Sequence, residues 1–389
     1  VKIWNEGKMK NFADVKGGKR LPKGKQLTKQ PNSHPYIRIK NLGKSKVLEL
    51  NSEYEYVDDE THKSIARYTV DSGDILISVV GTIGLIAIVG ESLDKANQTE
   101  NCDKIVNIKD LDRDYLYYYL TSSIGQEEIR KGIVGAVQPK LPLKNVQDIT
   151  VKYPTLKMQK KIVSILNIID KKIFVNDEIN RNLSEQAMAL YKKMTIDASE
   201  ECIEGVLSDV AEIVMGQSPK GDTYNEDGDG TVFYQGRAEF GDRFPTRRLF
   251  TSAPKRLAKE NTVLISVRAP VGDVNVAYEE CCIGRGLCSV GSKDNHQSFV
   301  LYTMYSLKDQ FDIYNGEGTV FGSINKDSMN GMSIQIPNKA LMDKFEEIVS
   351  PMDAVIKANY EENCRLIAMR DNLLCKLMSG ELDVSGVNI

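Results

Sequence analysis

From Ile162 onward the chain carries a seam in alternating steps of four and three residues: Ile162, Leu166, Ile169, Ile173, Asn176, Asn180, Leu183, Ala187, Leu190 and Met194. This is a heptad pattern, apolar except for two asparagines at its centre. The seam returns in the second half of the chain as Phe345, Val349, Met352, Ile356, Asn359, Asn363, Leu366, Arg370, Leu373 and Leu377, with the asparagines at the same steps. Only Arg370, at the step where the first copy has Ala187, breaks the match. A helix of about 40 residues is roughly 60 Å long, more than one globular domain covers. The economical solution is that the two copies pack on each other. Asparagine in a seam lowers stability but fixes register, because a buried amide without a partner is costly. Asparagines near the middle of both helices meet in either direction of packing, so the seam leaves the direction open. The alternative is two ordinary amphipathic helices in separate cores.

The rest of the chain repeats as well. Asp71-Ser72-Gly73-Asp74 reads as a turn, Ile75 to Val80 as a buried strand, Gly81 to Gly84 as a turn and Leu85 to Val89 as a second strand. Pro35 to Ile39 reads as a short strand with Arg38 and Lys40 on one side. Tyr115 to Tyr119 and Ile124 to Lys131 read as helices, and Asp148 to Tyr153 as a last strand before Pro154 and a Thr155 cap. In the second half Leu207-Ser208-Asp209-Val210 echoes Phe12-Ala13-Asp14-Val15. Ala258 to Arg268 matches the strand at 71–80, and Gly272 matches Gly84. Gly318-Thr319-Val320 through Pro337 matches Gly135 through Pro154, with Asn338 as the second cap. A repeat this long is two domain–helix units in tandem rather than a solenoid, whose periods are far shorter. Residues 195–206, with Thr195, Asp197, Ser199 and Gly205, read as a flexible joint.

Charge narrows the class of partner. The net charge of −3 hides a basic start, because residues 1–50 hold 13 Lys and Arg against 3 Asp and Glu. A local basic segment in an acidic chain points to a polyanion contact. Lys16, Lys19, Arg20, Lys23, Lys25 and Lys29 crowd a loop broken by Gly17, Gly18, Pro22 and Gly24. A phosphate-binding P-loop does not fit, since Lys19 stands where a glycine is needed and Gln26 where Ser or Thr is needed. A mobile basic loop on nucleic-acid phosphates fits better. The seven cysteines lack CxxC spacing, and Cys281, Cys282 and Cys288 have no histidine nearby, which reads as reduced thiols in a cytoplasmic protein without a metal site. His34, His62 and His296 lie far apart. No Gly-x-Ser-x-Gly, no methyltransferase tetrad and no glycine-rich cofactor loop is present, so no catalytic residue is assigned.

The strand motif Gly73-Asp74-Ile75-Leu76-Ile77-Ser78 has its partner in Val263-Leu264-Ile265-Ser266-Val267-Arg268-Ala269-Pro270-Val271-Gly272. To these add Ile283-Gly284-Arg285-Gly286-Leu287, Leu141-Pro142-Leu143, Pro154 with Gln159-Lys160-Lys161-Ile162, and the ending Lys376 to Leu382. Their order and repetition are specific where each alone is weak. With them the whole chain resembles the specificity (S) subunit of type I DNA restriction–modification systems. Met342 stands where Gln159 should repeat, Trp4 has no counterpart and the second basic loop is depleted of charge. The resemblance implies two target-recognition domains that each read half of a split DNA site, held apart by the paired helices. It implies methyltransferase (M) subunits, two of them, docked along the helices, and restriction (R) subunits that translocate and cut. S-adenosylmethionine, ATP and Mg then belong to those partner subunits, with no cofactor on this chain.

The expected fold is α+β, with two duplicated target-recognition domains separated by a pair of long antiparallel coiled-coil helices; the antiparallel direction comes from the resemblance and from the pseudo-two-fold that tandem duplication gives. The expected divisions are 1–153 and 207–336 for the recognition domains, 154–195 and 337–380 for the helices, 196–206 for the joint and 381–389 for the tail. By position, Lys19, Arg20, Lys23, Lys25, Arg38 and Lys40 are expected to contact DNA from the first domain. Lys220, Arg237, Arg243, Arg247, Arg248 and Arg268 are expected to do so from the second. Arg237 follows Tyr234-Gln235-Gly236, which brings a guanidinium and an amide toward one groove. Two rival classes are a metal-dependent site-specific nuclease with duplicated DNA-binding domains and a coiled-coil scaffold that binds no DNA.

Overall fold

The computed structural model describes residues 4–43, 45–197, 201–315 and 322–387. Strands are interspersed with short helices and two long ones, and among the described residues no helix is long and apolar enough to cross a membrane. The chain divides into two compact units, one holding the residues up to Phe174 together with those from Glu362, the other running from Val175 to Glu361. The division cuts each long helix near its middle, so each unit owns half of each.

In the first unit a five-stranded sheet runs in the order Asp14–Gly17, Cys102–Val106, Ile75–Ser78, Ile86–Val89, Val47–Leu48. Successive side chains of a strand face opposite ways, so Ile75 and Ile77 enter one core while Leu76 enters another. A sheet buried on both faces explains why Ile75-Leu76-Ile77 is continuously apolar. The larger core collects Tyr115, Leu116 and Tyr119 of the helix Arg113–Thr121, then Ile162 and Leu166, and finally Leu374 and Leu377. Beside it Glu55–Tyr56, Pro35–Ile37 and Asn97–Gln98 form a three-stranded sheet, and Asn5–Lys8 pairs with Thr150–Tyr153.

The second unit repeats the plan. Its sheets run Ala211–Met215, Leu287–Ser292, Val263–Ser266, Val274–Val276 and Tyr224–Asn225, Phe250–Thr251, Thr231–Tyr234, Cys281–Ile283, Leu257–Ala258. One serine shows how closely the halves agree. The Ser78 hydroxyl donates to the Thr82 carbonyl and accepts from the Leu85 amide at 2.8 Å. The Ser266 hydroxyl donates to the Pro270 carbonyl at 2.8 Å and accepts from the Asp273 amide at 2.9 Å. Both turns close through a left-handed glycine, Gly84 at φ 89° and Gly272 at φ 91°, a conformation that other residues rarely adopt.

The long helices are Leu156–Lys192, of 37 residues, and Lys339–Ser379, of 41. In the first unit Asp170 meets Arg370 at 3.1 Å and Lys172 meets Glu362 at 3.1 Å, so a step forward on one helix is a step back on the other. In the second unit the Asn359 side chain donates to the Asn180 side-chain oxygen at 2.8 Å. Arg370, the apparent flaw in the seam, thus has its own carboxylate partner. Asn176 and Asn363 are buried, as are Ile162, Leu166, Ile169, Phe345, Val349 and Ile356, while Ile173, Leu183, Met352 and Leu366 are half-buried.

Three local expectations change. The strand from Pro35 stops at Ile37, because the Asn41 side chain accepts the Arg38 amide at 2.8 Å and turns the chain into the short helix Ile39–Asn41. At its described residues the joint is far less free than its composition suggests. Met194 and Thr195 are buried, and Cys202–Val206 pairs with Ser333–Pro337, with Gly205 opposite Ile334. Asn338 caps the second long helix through its side chain, accepting the Leu341 amide at 3.0 Å, whereas Thr155 serves the first through its backbone carbonyl, which takes the Gln159 amide at 2.9 Å. Ser199 and Gly318-Thr319-Val320 lie outside the described residues.

Candidate nucleic-acid interface

In the first unit the basic loop is anchored. The Gly18 amide donates to the Cys102 carbonyl at 3.2 Å, the Lys19 amide to the Gln98 carbonyl at 3.3 Å, and the Tyr36 hydroxyl to the Lys19 carbonyl at 3.0 Å. The loop therefore presents its cations from a fixed base rather than as a mobile tether. Arg20 pairs with Glu100 at 2.7 Å, Lys25 with Asp58 at 3.2 Å, and Lys19 lies 5.7 Å over the Tyr68 ring. Lys23 is exposed and makes no ion pair among the described residues. Arg38 and Lys40 converge on one oxygen of Glu55, at 2.7 and 2.8 Å, and the Lys40 and Arg38 side chains hold that carboxyl below the usual carboxylate range. Exposed pairs of this kind are worth little, so a phosphate can displace the carboxylates at small cost.

In the second unit the cations form a groove. Ser218, Gln235, Arg237, Arg248, Arg268 and Arg285 line a concavity of about 590 Å³. The backbone that makes it is held by close approaches only glycine permits. A Cβ on Gly216 would stand 2.1 Å from the Gly284 carbonyl oxygen, and one on Gly286 would stand 2.9 Å from the Gln235 carbonyl oxygen. The run Ile283-Gly284-Arg285-Gly286-Leu287 is thereby laid across Tyr234-Gln235-Gly236, with Arg285 exposed between its two glycines. Arg237 meets Asp273 at 2.8 Å, and Arg248 meets the buried carboxylate of Glu239 at 2.7 Å. Arg268 and Arg285 make no ion pair among the described residues. Guanidinium and amide groups in one concave site suit the acceptor-rich edges of bases and the phosphates beside them.

Of the expected second-unit cations, Arg237, Arg248 and Arg268 meet in this groove. Lys220 is exposed on the loop before Gly221–Thr223. Arg247 turns away to Glu279 and lies 5.4 Å over the Tyr278 ring. Arg243 is a correction: its side chain is only 11% exposed and pairs with Asp353 of the second long helix, so its charge is already spent inside the unit. Sequence reasoning by position misses Arg285, although its motif is plain to see. The signal that points to it is a cation between two glycines, where the backbone must approach a neighbour and the side chain must leave it.

Two copies of one sheet-built domain, each presenting clustered cations, make a duplicated protein suited to a polyanionic partner. A family model for the type I restriction modification DNA specificity domain matches residues 2–185 and again residues 201–366, and the chain belongs to that family of specificity subunits. The putative type I restriction enzyme MjaX specificity subunit of Methanocaldococcus jannaschii is 28% identical over 377 residues, spanning 90% of this chain and 88% of that protein. The MjaIX specificity subunit of the same organism is 21% identical over 411 residues, spanning 98% and 94%. Among solved structures, the type I restriction–modification S subunit from M. genitalium is 17% identical and covers 97% of this chain and 96% of its own, with a TM-score of 0.55, a likeness of fold.

Proposed function

We propose that each unit reads one half of a split DNA target and that the chain is the non-catalytic subunit of its complex. The observation that carries this reading is the double match of one DNA-specificity domain within one chain. The two cationic surfaces support it: phosphate contacts from the anchored loop give affinity and position, and the arginine groove gives base discrimination. The two long helices form an antiparallel coiled-coil pair whose length sets the gap between half-sites. The contacts Asp170–Arg370, Lys172–Glu362 and Asn180–Asn359 favour that pairing.

Methyltransferase subunits dock along the helices, where apolar side chains stand exposed, among them Ile168 and Phe174 on the first and Ile348 and Val355 on the second. Those subunits bring S-adenosylmethionine, and restriction subunits bring ATP and Mg. The test is to map methylated bases in DNA from cells carrying the intact system. The expected result is a two-part motif with a fixed gap of unspecified bases. A continuous motif, or metal-dependent cutting by this chain alone, defeats the proposal.

A further inference from the structure

Each unit joins its globular part to a long helix through a tyrosine that donates to a helix carboxylate, with a cation over the tyrosine ring. In the first, Tyr118 on the helix Arg113–Thr121 donates its hydroxyl to Asp170 and lies 2.9 Å from the Asn167 side-chain oxygen, both on the first long helix. The Lys46 ammonium sits 4.3 Å from the centre of the Tyr118 ring, donates to that same Asn167 oxygen and lies 3.5 Å from the Asp114 carboxylate. In the second, Tyr302 on the helix Gln297–Ser306 donates to Asp353 on the second long helix at 3.2 Å. Arg243 pairs with the same carboxylate and lies 5.8 Å over the Tyr302 ring.

The carboxylates are duplicate positions: Asp170 follows Ile169 in the first seam, and Asp353 follows Met352 at the same step of the second. The tyrosines lie on the equivalent short helices of the two units. The cation is lysine in one copy and arginine in the other, and each reaches the tyrosine from the globular part of its unit. Lys46 and Arg243 are 15% and 11% exposed, and Asp170 and Asp353 are 18% and 16% exposed. Groups this shielded are little screened by salt. The apolar core already attaches each domain to its helix, through Ile162 and Leu166 in the first unit and Phe345 and Val349 in the second. Apolar packing is tolerant of sliding and rotation, whereas a charge-assisted hydrogen bond with a cation on the same ring is directional.

We propose that Lys46–Tyr118–Asp170 and Arg243–Tyr302–Asp353 are a matched pair of clamps that fix the angle at which each DNA-reading domain stands on its long helix. They are positioning residues: they touch no base, and they narrow the range of gaps the protein accepts between half-sites. This rests on the DNA-reading role proposed above. In the first unit Asp170 also takes Arg370 of the second long helix at 3.1 Å, so one carboxylate ties the domain to both helices.

The test uses the assembled complex with its methyltransferase subunits and the variants Tyr118→Phe, Tyr302→Phe, Asp353→Asn and Arg243→Lys. Binding is measured on duplexes with constant half-sites and a gap varied one base pair at a time, and melting temperature is recorded for each variant. The wild-type complex is expected to favour one gap. Tyr302→Phe and Asp353→Asn are expected to lower discrimination against gaps one base pair longer or shorter roughly tenfold, about 1.4 kcal/mol, with base preference unchanged. Arg243→Lys is expected to keep most of the wild-type profile. Tyr302→Phe and Asp353→Asn complexes that fold and retain the wild-type gap profile overturn the clamps, and so does an altered base preference. Tyr118→Phe, which removes one hydroxyl only, decides the matter if Asp353→Asn fails to fold. A wild-type complex indifferent to the gap overturns the DNA-reading proposal itself.

Discussion

Replacing Asp103 by Asn is expected to stabilise the first unit at pH 8 and to leave it almost unchanged near pH 4. Asp103 sits in the central strand pair, opposite Gly17 on one side and Ile77 on the other, and its residue is only 4% exposed. One carboxyl oxygen is buried without a hydrogen-bond partner. Burial pushes the carboxyl up to about 7 from the ordinary 3.8. The second unit places Cys288, an uncharged side chain, at the matching register opposite Ile265. A carboxyl raised in the folded state favours folding most fully below the unfolded pKa, and that advantage is lost as pH rises through the folded one. The window is therefore about pH 4 to 7, and a gap of roughly three units corresponds to on the order of 4 kcal/mol of destabilisation above it. The neutral amide carries no such penalty. The assay is urea unfolding of the two proteins across pH 4 to 9, taking their difference so that other buried acids such as Asp74 and Glu346 cancel. A difference that grows from near zero to a few kcal/mol in favour of the variant supports the reasoning. A constant difference, or one that favours the wild type at high pH, refutes the claim of an uncompensated buried carboxylate.

Arg268→Ala or Arg285→Ala is expected to cost about 1–3 kcal/mol of discrimination at one half-site only, read by binding to single-base variants of the target; an equal loss on every sequence makes them phosphate contacts. Asn180→Leu alone is expected to destabilise by about 1–3 kcal/mol, because it strands the Asn359 amide, and adding Asn359→Leu is expected to recover most of that loss in denaturant melts, so strictly additive costs exclude their pairing. Inserting seven residues in each long helix, after Phe174 and after Glu361, adds about 10 Å. That is about three base pairs at 3.4 Å each, so the preferred gap is expected to lengthen by that amount in a gap-length binding series, with affinity reduced because the DNA groove also turns.

The duplication and the helical seam are legible in the sequence because both depend on spacing, and heptad spacing survives divergence. That the asparagines meet can be anticipated from their matching steps, whereas the particular Asn180–Asn359 contact also needs the direction of the helices, which the seam leaves open. The joint is misread because glycine and small polar residues look flexible, while a strand partner far along the chain, Ser333–Pro337, leaves no local mark on Cys202–Val206. Arg243 is misplaced for a related reason. An arginine beside Arg247 and Arg248 looks like surface charge until the fold brings Asp353 to it from a distant helix. The groove can be assembled only in part, since Arg285 reaches it through glycine close approaches between segments well separated in the chain.

The most direct measurement exchanges one reader. A chimaera carrying residues 1–150 from a relative with a different target is assembled with the same partner subunits, and the methylated motif is mapped by sequencing. Two independent readers predict a new first or second half, the other half and the gap unchanged. A motif altered in both halves, or abolished in a complex that still assembles, contradicts the division of one target between two duplicated units.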